Sequence, residues 1–532
     1  MKNKTIRKSH TVSRHHKIVS GTEAIGKIKD GATVATGGFC GAGFAEDLAI
    51  FLEDRFVTSN EPQNLTLLYC AGQGDYQTRG LNHLGYEGLV GKVIGGFFGA
   101  APKLVDLVIH NKIQAYNFPQ GVISHMLRDI AAHKPRTITS VGLNTFVDPR
   151  REGGKANTIT KDDLVELITF DEKEYLAYKT FPVDVALLRG TTADENGNVT
   201  MEKEALTLEA QAMAMATKNS GGMVIVQVEG IASAGSLKPK AVKIPGILVD
   251  YIVVARPENH WQTFAEKYDP ALSGERKIPV ASLPKMEMSA RKIIARRAAQ
   301  ELRPGQVVNL GIGMPEGISN IANEEQILDQ ITLTAEPGII GGLPCGGLSF
   351  GAGINPEAII DQPSQFDFYH GGGLDIAFLG LAQVDREGNL NVSKFGIKMS
   401  GAGGFIDISQ NAKQVVFAGT FTAGNLSVSI QDGLLSIDQE GENCKFLEQV
   451  EQVTFSGMNA LNTGQPVLYV TERCVFILGE NGLILTEIAP GINLQKDILA
   501  RMDFKPEISK SLKLMDPILF QDEAMALKDN FL

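Results

Sequence analysis

A pattern that occurs twice at a fixed separation constrains the fold of this 532-residue chain more than any other feature. Four residues of one segment recur 191 positions later in a second segment: Asp184, Asp194, Gly197 and Asn198 match Asp375, Asp385, Gly388 and Asn389. Each segment has the pattern of a buried strand, a turn built on Asp and Gly-Asn, and a second strand. At the same separation VIVQVEG (224–230) falls on VVFAGTF (415–421). Any two α/β domains share some of these features, but several matches at one separation favour a duplicated unit.

Both halves also begin alike, with a turn, a strand and a glycine-rich loop at residues 30–39 and 304–313. Apolar residues then recur with helical spacing in 45–56, and a second helical stretch covers 120–133. A further helix is predicted to begin near Ser289. Strands that alternate with helices are typical of open parallel or mixed sheets covered by helices. The chain is therefore predicted to be an α/β protein of two similar open-sheet domains that face one another.

The local composition indicates where these domains begin and end. Residues 1–20 carry six Lys or Arg side chains and no acidic one, which is typical of a disordered basic tail. A transit peptide is the alternative that this lack of acids leaves open. Residues 256–288 contain prolines and charged residues that suit a linker. The prediction is an N-terminal α/β domain over 21–255 and a C-terminal α/β domain over 289–532.

The overall composition limits which binding partners and which cellular compartment are expected. The formal net charge of −11 argues against nucleic acid or an anionic membrane as the main partner. No run of about 18 uncharged apolar residues is present, so no segment is predicted to span a bilayer. Five dispersed cysteines without a CxxC pair fit reduced thiols in the cytoplasm. The nine histidines show no HExxH spacing, so no metal site is predicted.

Glu336 is distinctive because it ends an apolar run and precedes a glycine-rich tract, in ITLTAEPGIIGGLPCGGLSFGAG (331–353). The apolar residues and threonines favour a strand, and Pro337 with Gly338 ends it. The carboxyl end of a strand is where open α/β sheets place ligand sites. The glycines that follow allow backbone to come close to a bound molecule. Glu336 is therefore the first candidate for a functional residue.

Five short strings, most of them rich in glycine, follow one another along the chain: GGFCGAG (37–43), NLGIGMP (309–315), AEPG (335–338), FDFYHGGGLDIAFLG (366–380) and GAGGFIDI (401–408). Together and in this order they resemble the class I coenzyme A transferases, most closely the fused acetate and propionate CoA-transferases. The first string fits the family signature GGF-x-x-x-G, although Thr36 and Ala45 depart from its usual flanks. The family's Ser-Glu-Asn-Gly core reads Ala-Glu-Pro-Gly at 335–338. The resemblance covers almost the whole chain from Ile18 onward, and implies a duplicated CoA-transferase fold with the active site between its domains.

The resemblance implies an enzyme that moves CoA from a short-chain acyl-CoA to a carboxylate such as acetate, propionate or acetoacetate. Glu336 would be the nucleophile of a ping-pong reaction through a glutamyl-CoA thioester, ionised at neutral pH with an ordinary pKa of about 4.3. No cofactor is implied, because CoA is a substrate, and homodimers or homotetramers are usual in such families. Two rivals stay open: an acyl-CoA hydrolase, and a non-catalytic acyl-CoA sensor on the same fold.

The resemblance also assigns roles to residues that have plainer explanations. Gln120 and a backbone N–H of the Gly403-Gly404 loop would stabilise an oxyanion. Gln120 could instead serve the start of a helix, and the glycines a plain turn. Glu229 would be an active-site acid or an ordinary strand-end glutamate. Asn309 would orient Glu336 or bind substrate, unless it only forms a turn.

A last group of residues is expected to contact CoA or the acyl group. The predicted CoA contacts are Gly37, Gly38, Gly401, Gly403, Gly404 and Lys398. The glycines could instead serve tight turns, and a solvated charged face would explain the lysine. Three aromatic residues are predicted walls of a small acyl pocket: Phe39, Phe97 and Phe98.

Overall fold

The computed structural model describes residues 17–279 and 285–531. In the N-terminal half, seven strands form one sheet in which every neighbouring pair is parallel. In chain order these are β1 (Thr33–Thr36), β2 (Leu65–Tyr69), β3 (Val90–Gly95), β4 (Gln114–Asn117), β5 (Val185–Arg189), β6 (Met223–Val228) and β7 (Tyr251–Val254). Their order across the sheet is β7-β6-β5-β1-β2-β3-β4.

The C-terminal half is built around a mixed sheet of ten strands. In chain order these are β8 (Val307–Leu310), β9 (Thr332–Ala335), β10 (Ile339–Ile340), β11 (Ala358–Ile359), β12 (Ile376–Gly380), β13 (Val415–Ala418), β14 (Val467–Val470), β15 (Cys474–Gly479), β16 (Gly482–Ile488) and β17 (Glu507–Leu514). Their order is β11-β10-β9-β8-β12-β13-β14-β15-β16-β17. The five central strands, from β9 to β14, are parallel.

Helices cover both sheets. The described α-helices are α1 (Gly21–Ile25), α2 (Glu46–Ser59), α3 (Pro102–Ile109), α4 (Gln120–Ala131), α5 (Ala210–Asn219), α6 (Ala290–Ala299), α7 (Gly317–Glu324), α8 (Gln362–His370), α9 (Phe405–Asn411) and α10 (Gly457–Thr463). The helices predicted at 45–56, at 120–133 and near Ser289 are confirmed as α2, α4 and α6. The Ser289 hydroxyl accepts a hydrogen bond from the Lys292 N–H, which caps α6.

Successive side chains of the central strands point to opposite faces of the sheet, so the N-terminal core has two layers. Ala186 and Leu188 of β5 pack in the apolar cluster that contains α4 and α5. Val185 and Leu187 pack in the cluster that contains α2 and α3. Both faces of the parallel sheet are therefore covered, as such sheets require.

Several smaller sheets lie beside the two large ones. Their strands are Thr192–Asp194, Val199–Thr200, Gly230–Ala232 and Val242–Ile244; Arg136–Thr139, Val165–Phe170 and Lys173–Lys179; Gln383–Asp385, Leu390–Asn391 and Phe446–Leu447. Four two-stranded ribbons complete the set: Leu343–Pro344 with Gly353–Ile354, Lys394–Phe395 with Lys398–Met399, Thr422–Ala423 with Asn443–Cys444, and Ser427–Gln431 with Leu434–Gln439.

The repeated residues make equivalent contacts in the two halves. The Asp184 carboxylate accepts a hydrogen bond from the first residue of β1 at 2.9 Å, and Asp375 does the same for β8 at 2.8 Å. In the turns, Asp194 accepts from the Asn198 N–H at 2.9 Å. Its counterpart Asp385 accepts from the N–H of residue 389 at 3.0 Å. The prediction of two similarly built α/β domains is confirmed.

The segments predicted to be a tail and a linker are partly packed against these domains. Residues 1–16 lie outside the described residues, whereas the Lys17 Nζ donates to the carbonyl oxygens of Gly246 and Val249 at 2.6 and 2.7 Å. Residues 256–279 run over both halves. Thr263 contacts Ser349 through their hydroxyl groups, 2.8 Å apart. The last part of the predicted linker includes residues 280–284, which lie outside the described residues.

Candidate active site

A cavity of about 230 Å³ lies between the two halves of the chain. The N-terminal half contributes Phe39, Cys40, Gly72, Tyr76, Phe97 and Gln120 to its lining. The C-terminal half contributes the carboxyl ends of β8, β9 and β12 and the loop at residues 401–405. These strand ends are the edge at which open α/β sheets place ligands. The cavity is therefore the candidate active site.

Glu336 follows directly after β9 and is the one acidic side chain among the described residues of this lining. Strand β9 is held in parallel register with β8, and Pro337 prevents it from continuing. The backbone of Gly404 reaches the Glu336 carboxylate so closely that a Cβ at residue 404 would overlap Oε2. The glycine loop therefore acts as one wall around the carboxylate, as its sequence predicts.

Gln120 begins α4 and faces Glu336 from the opposite half of the chain. It is 1% exposed, and its Nε2 has no hydrogen-bond partner among the described residues. Its backbone N–H donates to the Gly403 carbonyl oxygen at 3.0 Å. The Gly403 N–H is itself bonded to the Gly96 carbonyl at 2.7 Å, whereas the Gly404 N–H has no acceptor in the described part of the chain. Gln120 Nε2 and Gly404 N–H are thus two available donors near one carboxylate.

The environment of Glu336 raises the pKa of its carboxyl group. Burial, followed by the nearby charge of Asp407, raises the pKa of Glu336 to about 8, although Gln120 acts in the opposite direction. The side chain keeps some exposure to the cavity, but protein surrounds it. The expectation of an ordinary pKa was therefore wrong, because loss of solvent disfavours the charged carboxylate.

Asn309 lies in β8, beside the strand that ends at Glu336. Its Nδ2 donates to the Thr334 carbonyl at 3.4 Å and to the Tyr369 hydroxyl at 3.2 Å. Its Oδ1 has no partner among the described residues, although the residue is 2% exposed and lines the cavity. Asn309 Oδ1 is therefore an unpaired acceptor at the edge of the cavity.

The structure does not bring three other predicted groups into the cavity lining. Glu229 is about half exposed and forms an ion pair with Lys203, with Nζ 2.8 Å from Oε1. Lys398 is exposed on a two-stranded ribbon. Gly37 and Gly38 lie behind the wall that Phe39 provides. The sequence placed these residues near a glycine loop or strand end, but only packing decides which side chains face inward.

The aromatic walls are only partly those predicted. Phe39 and Phe97 line the cavity. Phe98 is fully buried and packs edge to face against Tyr69 instead. Phe350 joins the lining, with its ring centroid 5.7 Å from that of Phe39. The sequence signal for Phe350 was its place in the glycine tract after Glu336.

Sequence reasoning missed Cys40 and Asp407. Cys40 lines the cavity, but burial and then the Glu336 charge raise the pKa of its thiol to about 12. That thiol is therefore neutral and a poor nucleophile. Asp407 is fully buried, and its charge acts on Glu336. It lies inside the GFIDI string, and nothing in that string indicates that its carboxylate would be near another one.

Two properties of residues 17–279 and 285–531 bear on other classes of protein. No group of three or more His, Cys, Asp or Glu side chains in these ranges could hold a metal ion. Within the same ranges, no helix has the length and apolar character needed to cross a membrane.

The family profile described as "Coenzyme A transferase" matches residues 18–255 and 291–423. The chain is 51% identical to the Caffeate CoA-transferase of Acetobacterium woodii, over 95% of this chain and 98% of that protein. It is 46% identical to the Acetate CoA-transferase YdiF of Escherichia coli O157:H7, over 96% of each chain. A crystal structure of that acyl-CoA transferase in a thioester complex with CoA superposes with a TM-score of 0.92 at 45% identity, covering 96% of this chain and 98% of the other.

Proposed function

Because the chain belongs to the coenzyme A transferase family, we propose that Glu336 carries CoA from an acyl-CoA to a free carboxylate. The chain is an enzyme, and CoA transfer to a carboxylate is its reaction. The observation that carries the assignment of Glu336 is its place as the one acidic side chain among the described lining residues. It also faces Gln120, whose Nε2 is unpaired.

The proposed reaction has four steps at one carboxylate. An oxygen of ionised Glu336 attacks the thioester carbonyl, the C–S bond breaks, and an acyl-glutamyl anhydride and CoA thiolate result. The thiolate attacks the glutamyl carbonyl, which forms a glutamyl-CoA thioester and releases the first acid. The acceptor carboxylate then attacks this thioester, and the same steps reversed produce the new acyl-CoA. The result is ping-pong kinetics.

The geometry supplies what a weak nucleophile needs. The carboxylate is fixed between the Gly404 backbone and Gln120, and such positioning is worth about 7–11 kcal/mol in effective molarity. Gln120 Nε2 and the Gly404 N–H are placed to donate to the oxyanion that forms on the attacked carbonyl. Asn309 Oδ1 offers an acceptor to the substrate. The interdomain cavity restricts water, which would otherwise hydrolyse the anhydride and the thioester.

The charge of the cavity indicates the kind of acid accepted. Among the described residues of the lining there is no Lys, Arg or His, and apart from Glu336, Gln120 and Asn309 the walls are mainly glycine, apolar or aromatic residues. A second carboxylate on the acceptor would therefore be buried without a counter-ion, which costs several kcal/mol. We propose monocarboxylic acids with an apolar body as substrates. The related enzymes named for acetate and for caffeate both act on acids of this kind.

A dicarboxylate is expected to be a poor acceptor. With acetyl-CoA as donor, kcat/KM for succinate should be at least about 10²-fold below that for propionate. Ile312 lines the cavity and is half exposed, so Ile312→Arg would place a cation at the entrance and should narrow this difference. Equal kcat/KM for the two acids in the unmodified enzyme would contradict the proposed selectivity.

The rival functions make different demands on Glu336. A hydrolase would use the same nucleophile but release free CoA without an acceptor acid. A sensor would have no need of a nucleophile, and the comparisons favour neither alternative. We also propose a cytoplasmic homodimer or homotetramer, a compartment that suits the five free cysteines.

The decisive experiment is mass spectrometry after brief incubation with acetyl-CoA and no acceptor acid, followed by peptide mapping. A CoA adduct on the peptide that contains Glu336, discharged by propionate, is expected. Release of CoA at a rate independent of added acid would support the hydrolase. Binding of acyl-CoA with neither adduct nor turnover would support the sensor.

The protonation of Glu336 predicts a pH dependence. Only the carboxylate attacks, and the ionised fraction of a group with a pKa of about 8 increases as the pH rises. The kcat/KM, which reports the free enzyme, is therefore expected to rise from pH 6 through a midpoint near pH 8 and to level off about one pH unit higher. A profile already flat from pH 6 would show that Glu336 is ionised at lower pH than this environment implies.

A further inference from the structure

A second carboxyl group, Asp407, lies behind the nucleophile, and the steps of CoA transfer give it no role. It is fully buried and stands three residues after Gly404, on the same face at the start of α9. Gly404 is the residue whose backbone packs on the Glu336 carboxylate. The charge of Asp407 acts on Glu336 and raises its pKa. Two carboxyl groups placed in this way oppose each other's ionisation.

Two contacts from different elements hold Asp407. Nε2 of His370, the last residue of α8, lies 2.8 Å from Oδ1. The N–H of Gly121 donates to Oδ2 at 3.1 Å. Because Gly121 follows Gln120 in α4, this bond fixes the backbone that carries the proposed oxyanion donor. Asp407 thus joins the N-terminal half to two helices of the C-terminal half.

We propose that Asp407 and His370 form a positioning pair that sets the charge of Glu336 and holds Gln120 beside it. The Asp407 charge opposes ionisation of Glu336, and the contact with His370 Nε2 holds the carboxylate that exerts this effect. The inference rests on the proposed role of Glu336 as nucleophile.

Two other titratable groups that Asp407 affects are neutral. Cys70 and Tyr178 are both buried, and burial raises the pKa of each well above its usual value. Both are therefore neutral at physiological pH. Neither supplies a charge that could offset the effect of Asp407 on Glu336.

A series of side-chain contacts connects His370 to the protein surface. His125 of α4 packs perpendicular to the His370 ring, with centroids 4.9 Å apart. Burial, and then the charge of His370, lowers the pKa of His125. His125 Nε2 also lies 3.0 Å from the Asp367 carboxylate, which pairs with Arg128 at the surface. Phe366 packs against the other side of His370.

The pH profile of kcat/KM tests the pair. Asp407→Asn removes the negative charge but keeps the shape, so the midpoint of the acidic limb in kcat/KM should fall by about one pH unit. His370→Gln keeps a donor for Asp407 Oδ1 and leaves the Asp407 charge in place, so its midpoint should not move. Asp438→Asn serves as a control, because Asp438 is exposed on a hairpin and bonds only Ser429 among the described residues. Its midpoint should equal that of the unmodified enzyme.

A purely structural role would lower kcat or Tm in Asp407→Asn without moving its midpoint, and this result would overturn the inference. An equal fall of the midpoint in His370→Gln would also overturn it, because the Asp407 charge is still present in that variant. If Asp407→Asn does not fold, His370→Ala decides: loss of its contact with Asp407 should lower kcat with little change in KM, and an unchanged kcat would overturn the inference. A CoA adduct on Glu336 combined with an unmoved midpoint in Asp407→Asn would reject this inference and leave the proposed function intact. Loss of the adduct in the unmodified enzyme would reject both.

Discussion

Glu336→Ala is expected to lower kcat by at least about 10⁴-fold, because no other described side chain of the cavity can form the acyl anhydride. The substitution removes a carboxyl group whose ionisation its surroundings oppose, so Tm should not fall. Steady-state assays with acetyl-CoA and propionate give the rate, and thermal melting shows that the variant is folded. The mapped CoA adduct should disappear in parallel.

Two further variants make this result specific. Glu336→Asp keeps the charge but withdraws the carboxylate by about one methylene, and a displacement of this size can lower the rate about 10²-fold. Glu357→Ala is the matched control, since Glu357 lies in the same segment but is exposed and outside the cavity lining. Glu336→Ala that retains full turnover would reject the nucleophile and, with it, the proposed mechanism.

Gln120→Ala is expected to lower kcat by about 10²–10³-fold, the usual effect of removing one oxyanion donor. Because Nε2 is unpaired in the free enzyme, its removal should weaken binding of the transition state more than binding of the substrate. KM should therefore change little. Because Gln120 lowers the pKa of Glu336, the acidic limb of kcat/KM should also move to higher pH. Full pH profiles of both parameters measure the two effects together.

Gln431→Ala is a suitable control for this variant, because Gln431 is exposed on the hairpin of Ser427–Gln431 and Leu434–Gln439, away from the cavity lining. It should behave as the unmodified enzyme does. If Gln120→Ala raised KM and left kcat unchanged, Gln120 would contribute to substrate binding and not to the oxyanion. The backbone N–H of Gly404 would then be the remaining donor of the two.

The sequence predicted most of the fold because its evidence is local or repeated. The Asp and Gly-Asn turns have defined backbone requirements, and their recurrence 191 residues apart indicated two similar units before any contact was known. Helices α2 and α4 followed from apolar spacing, and α6 from its serine cap. Glu336 was recognisable because a carboxylate between a strand and a glycine tract has few structural explanations.

Other parts of the site depend on which surfaces pack together. Glu229 and Lys398 had favourable sequence contexts, but their side chains turn toward solvent. Phe98 lies next to a cavity-lining residue in sequence and yet points into the core. The direction of each of these side chains depends on how its segment packs against the rest of the protein, and no local sequence pattern indicates it.

The sequence by itself determined two α/β halves, a nucleophile candidate at the end of a strand, and an amide partner for it. Only the tertiary structure decided the chemistry of that carboxylate. Glu336, Gln120, His370 and Asp407 are far apart along the chain, and packing of the two halves brings them together. The pKa of a carboxyl group depends on its burial and on the charges near it. Both are set only when the chain is folded.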